Sequence, residues 1–138
     1  LAEMIRVVQP NGHIIAFAEP DYGSRVDKPE PLEKLGEWQR DALRKQGANP
    51  NIGAELANLF YEAGITILET GTISKQDDAP LNVDEWEMEW ATLQADLSGE
   101  VSEKSIQKMK YLDQASMKKG KRVLYVPTHY IWGRTQQR

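Results

Sequence analysis

Helical periodicity alternates with short apolar runs bounded by turn residues, and this pattern predicts an α/β fold. Three stretches carry the prediction. His13-Ile14-Ile15-Ala16-Phe17-Ala18 is an almost unbroken apolar run directly after a helical pattern and a turn. Ile65 to Ser74 is rich in β-branched residues, and Arg122 to Arg134 is dominated by Val, Tyr, Ile and Trp.

In chain order, Leu1, Ile5 and Val8 are apolar at near-helical spacing, and Gln9-Pro10-Asn11-Gly12 stops that segment. The run from His13 to Ala18 reads as a strand buried on both faces of a parallel sheet, ended by Glu19-Pro20-Asp21. Residues 22–31, with Gly23, Pro29 and Pro31, form a loop. A helix follows from about Leu32 to Gln46, with Leu32, Leu35, Trp38 and Ala42 on one side and Gly47 as its stop. Asn51 caps a second helix carrying Ile52, Leu56, Phe60 and Ala63, closed by Gly64. The strand of residues 65–74 leads into a polar loop at 75–83.

Asn82 and Glu85 have the spacing of a capping pair for a helix over Val83 to Leu97, whose Trp86, Trp90, Leu93 and Leu97 share one face. Ser102 caps a further helix with Ile106, Met109 and Leu112 inward, ending at Gly120. Within the final strand, Pro127 cannot donate a ladder hydrogen bond, so a bulge or break is expected there. No repeat or linker is visible, and residues 1–138 are taken as a single unit.

Composition narrows the function classes. The chain is 40% hydrophobic and 28% charged, as soluble globular domains are. A net charge of −4 and a pI near 5.2 speak against nucleic acid as a partner. Lys118, Lys119, Lys121 and Arg122 are the basic cluster, read as cations favoured by a helix dipole and solvent in preference to an anion site. With no cysteine there is no disulfide scaffold, zinc ribbon or thiol nucleophile. No apolar run approaches a membrane span of about 18 residues and no signal peptide is visible, so a cytoplasmic protein without a membrane partner is expected. Leu1 in place of a start methionine suggests a piece of a larger domain.

Several ordered segments resemble the class I S-adenosylmethionine-dependent methyltransferases. Leu1-Ala2-Glu3-Met4-Ile5-Arg6-Val7-Val8-Gln9-Pro10-Asn11-Gly12-His13-Ile14-Ile15 is similar to that family's helix, R-V-L-x-P-G-G turn and strand. Asn11 stands where the family usually has a glycine, and asparagine also tolerates positive φ. Asn49-Pro50-Asn51-Ile52-Gly53, Glu62-Ala63-Gly64-Ile65 and Tyr130-Ile131-Trp132-Gly133-Arg134 extend the likeness to the small-molecule branch. The resemblance implies a partial Rossmann-like sheet, the fifth to seventh strands of seven, with the last antiparallel between the other two. It further implies that the helices at about 83–119 are an insertion (within 75–120) that covers substrate, and that the parent protein uses S-adenosylmethionine.

That cofactor needs a glycine-rich turn at a helix N-terminus, where only glycine lets the backbone approach closely. The ten glycines here lie at 12, 23, 36, 47, 53, 64, 71, 99, 120 and 133, and no two of them are separated by a single residue. No cofactor-binding residue is therefore expected within the chain, and no methyl transfer by the chain alone.

By analogy with the parent fold, ligands sit beyond the carboxyl ends of the strands, where Glu19, Asp21 and Tyr22 follow the first one. These are candidate substrate contacts; alternatively they end a strand and begin a loop. Trp86 and Trp90 are candidate lid residues over an apolar acceptor, or packing residues of the inserted helix, and Trp38 has the same two readings. Arg25 has two readings, a contact to an anionic group or a solvated loop residue, with the second preferred, and His13 reads as structural. His129 and Tyr130 are the acid/base candidates, although adjacent strand residues point to opposite faces unless Pro127 breaks the pleat, and the preferred reading of His129 is a structural or surface residue. No metal-ligand spacing, G-x-S-x-G elbow or P-loop is present. Two functions remain: the substrate side of a small-molecule methyltransferase, or a non-catalytic α/β interaction or dimerisation module. Losing a neighbouring strand would expose an apolar edge at residues 13–18, so the isolated chain is expected to self-associate.

Overall fold

The computed structural model describes residues 1–73 and 81–136, and in it the Pro-Asn-Gly turn takes the shape its residue types dictate. Asn11 occupies the left-handed region at φ 60°, and Gly12 leaves space that a Cβ would fill 2.6 Å from Val8 Cγ2. The chain runs α1 (Ala2–Val7), β1 (His13–Pro20), β2 (Val26–Lys28), α2 (Glu33–Lys45), α3 (Ile52–Glu62), β3 (Thr66–Thr72), α4 (Val83–Leu97), α5 (Glu103–Lys118), β4 (Val123–Tyr125) and β5 (Thr128–Arg134). Ser74 and residues 75–80 of the expected polar loop lie outside the described residues. The fold is α/β, with small antiparallel sheets and flanking helices.

Two compact units emerge, each with its own apolar core. The sheet unit comprises Leu1–Asp21, Asn51–Lys75 and Pro127–Arg138; the helical unit comprises Tyr22–Pro50 and Gln76–Val126.

In the sheet unit the strand order is β1-β5-β3, with β5 antiparallel to both neighbours. β1 and β3 therefore run parallel to each other on either side of the last strand, the order that the resemblance implies. One face is covered: Ile14 and Ile131 pack with Leu56, Phe60 and Ile65, and Ile5 and Val8 lie against the cluster. Gly133 is required by that packing, since an added Cβ would strike Ile65 and Phe60.

The other face corrects the expectation that β1 is buried on both sides. Ile15 is 55% and Phe17 68% exposed, and β1 has no strand partner beyond β5 among the described residues. Ladder pairing is interrupted between Ala16 and Glu19, where Ala18 adopts φ 62°. This bulge lies inside the apolar run and re-aims the residues that follow it.

The helical unit buries Leu32, Leu35, Ala42, Trp86, Trp90, Leu93, Leu97, Ile106 and Met109 together. Asn82 and Glu85 form the full capping box, with Glu85 N donating to Asn82 Oδ1 at 2.9 Å and Asn82 N to Glu85 Oε2 at 3.0 Å. Ser102 caps α5 as its position predicts. Leu112, expected inward, is 36% exposed, and Asp113 takes the buried place beside Ile106 and Met109. The loop of residues 22–31 contains a strand: β2 pairs antiparallel with β4, Val26 opposite Tyr125 and Lys28 opposite Val123. The final strand does break beside Pro127, and its first part belongs to this second ribbon.

Candidate functional site

In the sheet unit, the start of α3 presses on the end of β1. A Cβ on Gly53 would lie 2.5 Å from Glu19 O and 2.9 Å from Pro20 C, so glycine is what permits this approach. The contact fixes the backbone of Glu19-Pro20-Asp21. Asp21 is 4% exposed, and its N–H donates to Pro127 O at 2.7 Å. Across the ladder Glu19 is paired with His129, and His129 with Thr72, whose Oγ1 lies 3.5 Å from Nδ1. A carboxylate and an imidazole thus occupy opposed positions on β1 and β5, a pairing able to hold a hydroxyl or amine and to accept its proton.

Tyr130 sits apart from that pair by strand alternation, on the face of Trp132. Its hydroxyl donates to Glu69 Oε1 at 2.7 Å, and this bond, with smaller contributions from burial and the Glu69 charge, raises its pKa. Gly71 makes room for the ring, since a Cβ there would meet Tyr130 Cε1 at 2.8 Å. His13 accepts from Trp132 Nε1 at 2.8 Å on the same sheet.

In the helical unit, Arg25 is fully buried, which overturns its reading as a solvated loop residue. Its Nε and Nη2 grip Asp27 at 2.7 and 3.0 Å, and Nη1 reaches Gln39 Oε1 at 2.8 Å and Glu89. Burial opposes its charge most strongly, yet the Asp27 hydrogen bonds and the Asp27 and Glu89 charges outweigh it and push the pKa up. Arg122 likewise leaves the basic cluster for the interior, where Nη2 meets Asp27 Oδ1 at 2.6 Å and Nε meets Asp113 Oδ1 at 2.7 Å. Lys118, Lys119 and Lys121 stay exposed. Trp90, 1% exposed, donates from Nε1 to Asp113 Oδ2 at 2.8 Å. Gln39 extends the chain by donating to Asp96 Oδ2 at 2.8 Å. Gly36 gives Arg25, Asp27 and Arg40 their space, each within 3.4 Å of where a Cβ would stand.

Tyr22 also belongs to this unit. Its pKa is raised, first by burial and then by the carboxylates of Glu89 and Asp96, against the pull of Arg25. Glu89 keeps 16% of its side chain exposed and borders a hollow of about 410 Å3 with Glu85, Met88 and Leu124. Trp86 is 7% exposed and packs near Trp90, ring centroids 6.3 Å apart. Trp38 packs partly buried against the same core.

The site residues thus fall into two sets. Glu19, Asp21, His129 and Tyr130 lie in the sheet unit, and Tyr22, Trp86 and Trp90 in the helical unit. Sequence reasoning missed Arg25, Asp27, Glu89, Asp113 and Arg122 as an ensemble. One signal was present: Gly36 within a helical pattern costs about 1 kcal/mol relative to alanine and points to a close approach.

The chain matches no protein-family model and no curated protein. Among the described residues no group of three His, Asp or Glu side chains comes together to hold a metal, and no helix is long and apolar enough to cross a membrane. The N–H of Gly23, the lone glycine of the loop after β1, donates to Pro50 O at 3.3 Å.

Proposed function

We propose that the chain is the substrate-side portion of a cytoplasmic S-adenosylmethionine-dependent methyltransferase acting on a small molecule, with the methyl donor held by residues outside this sequence. The observation that carries the proposal is the strand order: two parallel strands with the last strand antiparallel between them. This is the order implied for the fifth to seventh strands of the family the sequence resembles. Glu19 is assigned to hold the hydroxyl or amine of the acceptor, and His129, opposed to it in the ladder, to accept the proton. The coding sequence upstream of Leu1 provides the test. An in-frame strand, G-x-G-x-G turn and helix supports the proposal, and a start codon directly before Leu1 overturns it. Calorimetry of this chain with S-adenosylmethionine should show no binding, and tight binding would refute the placement of the donor contacts outside the sequence.

The exposure of Ile15 and Phe17, on a strand whose outer edge has no partner among the described residues, favours a second reading, a non-catalytic interaction or dimerisation module. Under either reading the 138-residue chain self-associates. Light scattering that finds a well-folded monomer at micromolar concentration sinks that expectation.

A further inference from the structure

The two tryptophans of α4 differ in one respect. Trp90 donates its indole N–H to Asp113, whereas the Nε1 of Trp86 is buried and has no acceptor. An N–H withdrawn from water without a partner is unfavourable and calls for an explanation in its surroundings. Trp86 forms one wall of a hollow of about 250 Å3, and the other walls are Gln107, Lys110, Tyr111 and Gln114. No carboxylate lines it. Lys110 Nζ stands 5.6 and 5.7 Å from the Trp86 and Trp90 ring centroids and donates to the neutral Gln94 Oε1 at 3.4 Å. Among the described residues no acidic group forms an ion pair with it. In a chain with 21 acidic and 17 basic side chains, a hollow furnished only with a cation and neutral polar and aromatic groups is selective for an acceptor.

We propose that this hollow binds a small organic carboxylate. Lys110 supplies the opposing charge, and the Gln114 amide, the Tyr111 hydroxyl and the Trp86 indole N–H are the donors for its oxygens, the Gln107 amide being held by Glu103 at 2.8 Å. The volume lies below the usual ligand range of about 300–1,000 Å3, which restricts the ligand to a few heavy atoms or a single ring. The Trp86 N–H is covered, so engaging it requires a side chain of the wall to move. The site lies wholly in the helical unit and stands independently of the methyl-transfer proposal.

The test is a titration of the whole chain, read at the Trp86 indole N–H by 15N-resolved NMR and assigned with Trp86→Phe. Benzoate should move that resonance saturably at millimolar concentration, while benzamide, its neutral isostere, and inorganic phosphate should not. In Lys110→Met the benzoate affinity should fall about tenfold or more. Should that variant not fold, high salt must weaken benzoate binding to the native chain several-fold. A resonance indifferent to benzoate, an equal response to benzamide or phosphate, unchanged affinity in Lys110→Met, or salt-independent binding overturns the proposal.

Discussion

The sheet unit gathers an entirely apolar cluster, Ile14, Leu56, Phe60, Ile65 and Ile131, under a three-stranded ladder. The helical unit has a larger apolar core but threads through it a run of charges, Asp113, Arg122, Asp27 and Arg25, whose side chains are at most 1% exposed. Two ways of specifying a structure are thereby set side by side. In the sheet unit, backbone pairing and shape decide which residues meet. In the helical unit the ribbon of β2 and β4 is only three residues long on each side, too short to stand on its own ladder. Its position is set by which carboxylate meets which guanidinium. Such pairs add modestly to stability when complete but cost much when half of one is removed.

The largest test of that contrast is Asp113→Ala, which strands the Trp90 indole and leaves the Arg122 guanidinium with Asp27 as its one carboxylate partner. We expect a loss of about 3–5 kcal/mol in the helical unit. Trp38, Trp86 and Trp90 report on that unit and Trp132 on the other, so single-tryptophan variants followed by fluorescence during thermal melting separate the two. Equal loss in both units would break the comparison. Next comes Gly53→Ala, which drives a Cβ into Glu19 O and should cost the sheet unit about 1–3 kcal/mol in denaturant melts. A neutral result would mean the α3–β1 contact is slack.

Ala18→Gly is expected to act in the opposite direction. Relieving a left-handed alanine should stabilise the sheet unit by about 1 kcal/mol, measured the same way. The smallest effect concerns pH. A tyrosine with a raised folded pKa favours the folded state fully below its unfolded value near 10.0 and loses that advantage as pH climbs through the folded value. The helical unit should therefore lose stability in alkali partly through Tyr22, and Tyr22→Phe should reduce that loss. An identical alkaline melting profile for the two proteins would rule Tyr22 out.

Where a local rule governs, the sequence was largely legible, although Asn51 precedes α3 without making a side-chain cap hydrogen bond. Periodicity placed the five α-helices of the described residues, Asn82 with Glu85 fixed the start of α4, and Asn11-Gly12 the first turn. Pro127 marked the break between β4 and β5. What escaped was decided by partners far along the chain. Arg25 meets Glu89 across 64 positions and Arg122 meets Asp27 across 95, distances over which an arginine in a loop or at a helix end looks solvated. Leu112 and Asp113 exchanged roles for the same reason, since a buried carboxylate is intelligible only once Arg122 and Trp90 are seen around it. The bulge at Ala18 left no sequence trace because alanine is the wrong residue to announce a positive φ. Glu19 and Asp21 were reached through the position of a strand end, and the opposition of Glu19 to His129 required the register.

The order β1-β5-β3 also sets a timetable for the ribosome. The central strand of the sheet is the last of the described strands to be synthesised. β1 and β3 emerge early, are not neighbours, and have nothing to pair with until residue 128 and those after it leave the exit tunnel. The helical unit, complete at Val126, is able to fold while they wait. A chain truncated just before Thr128 would therefore keep its charged interior and have no sheet unit, with Ile14 and Phe60 left for chaperones to hold.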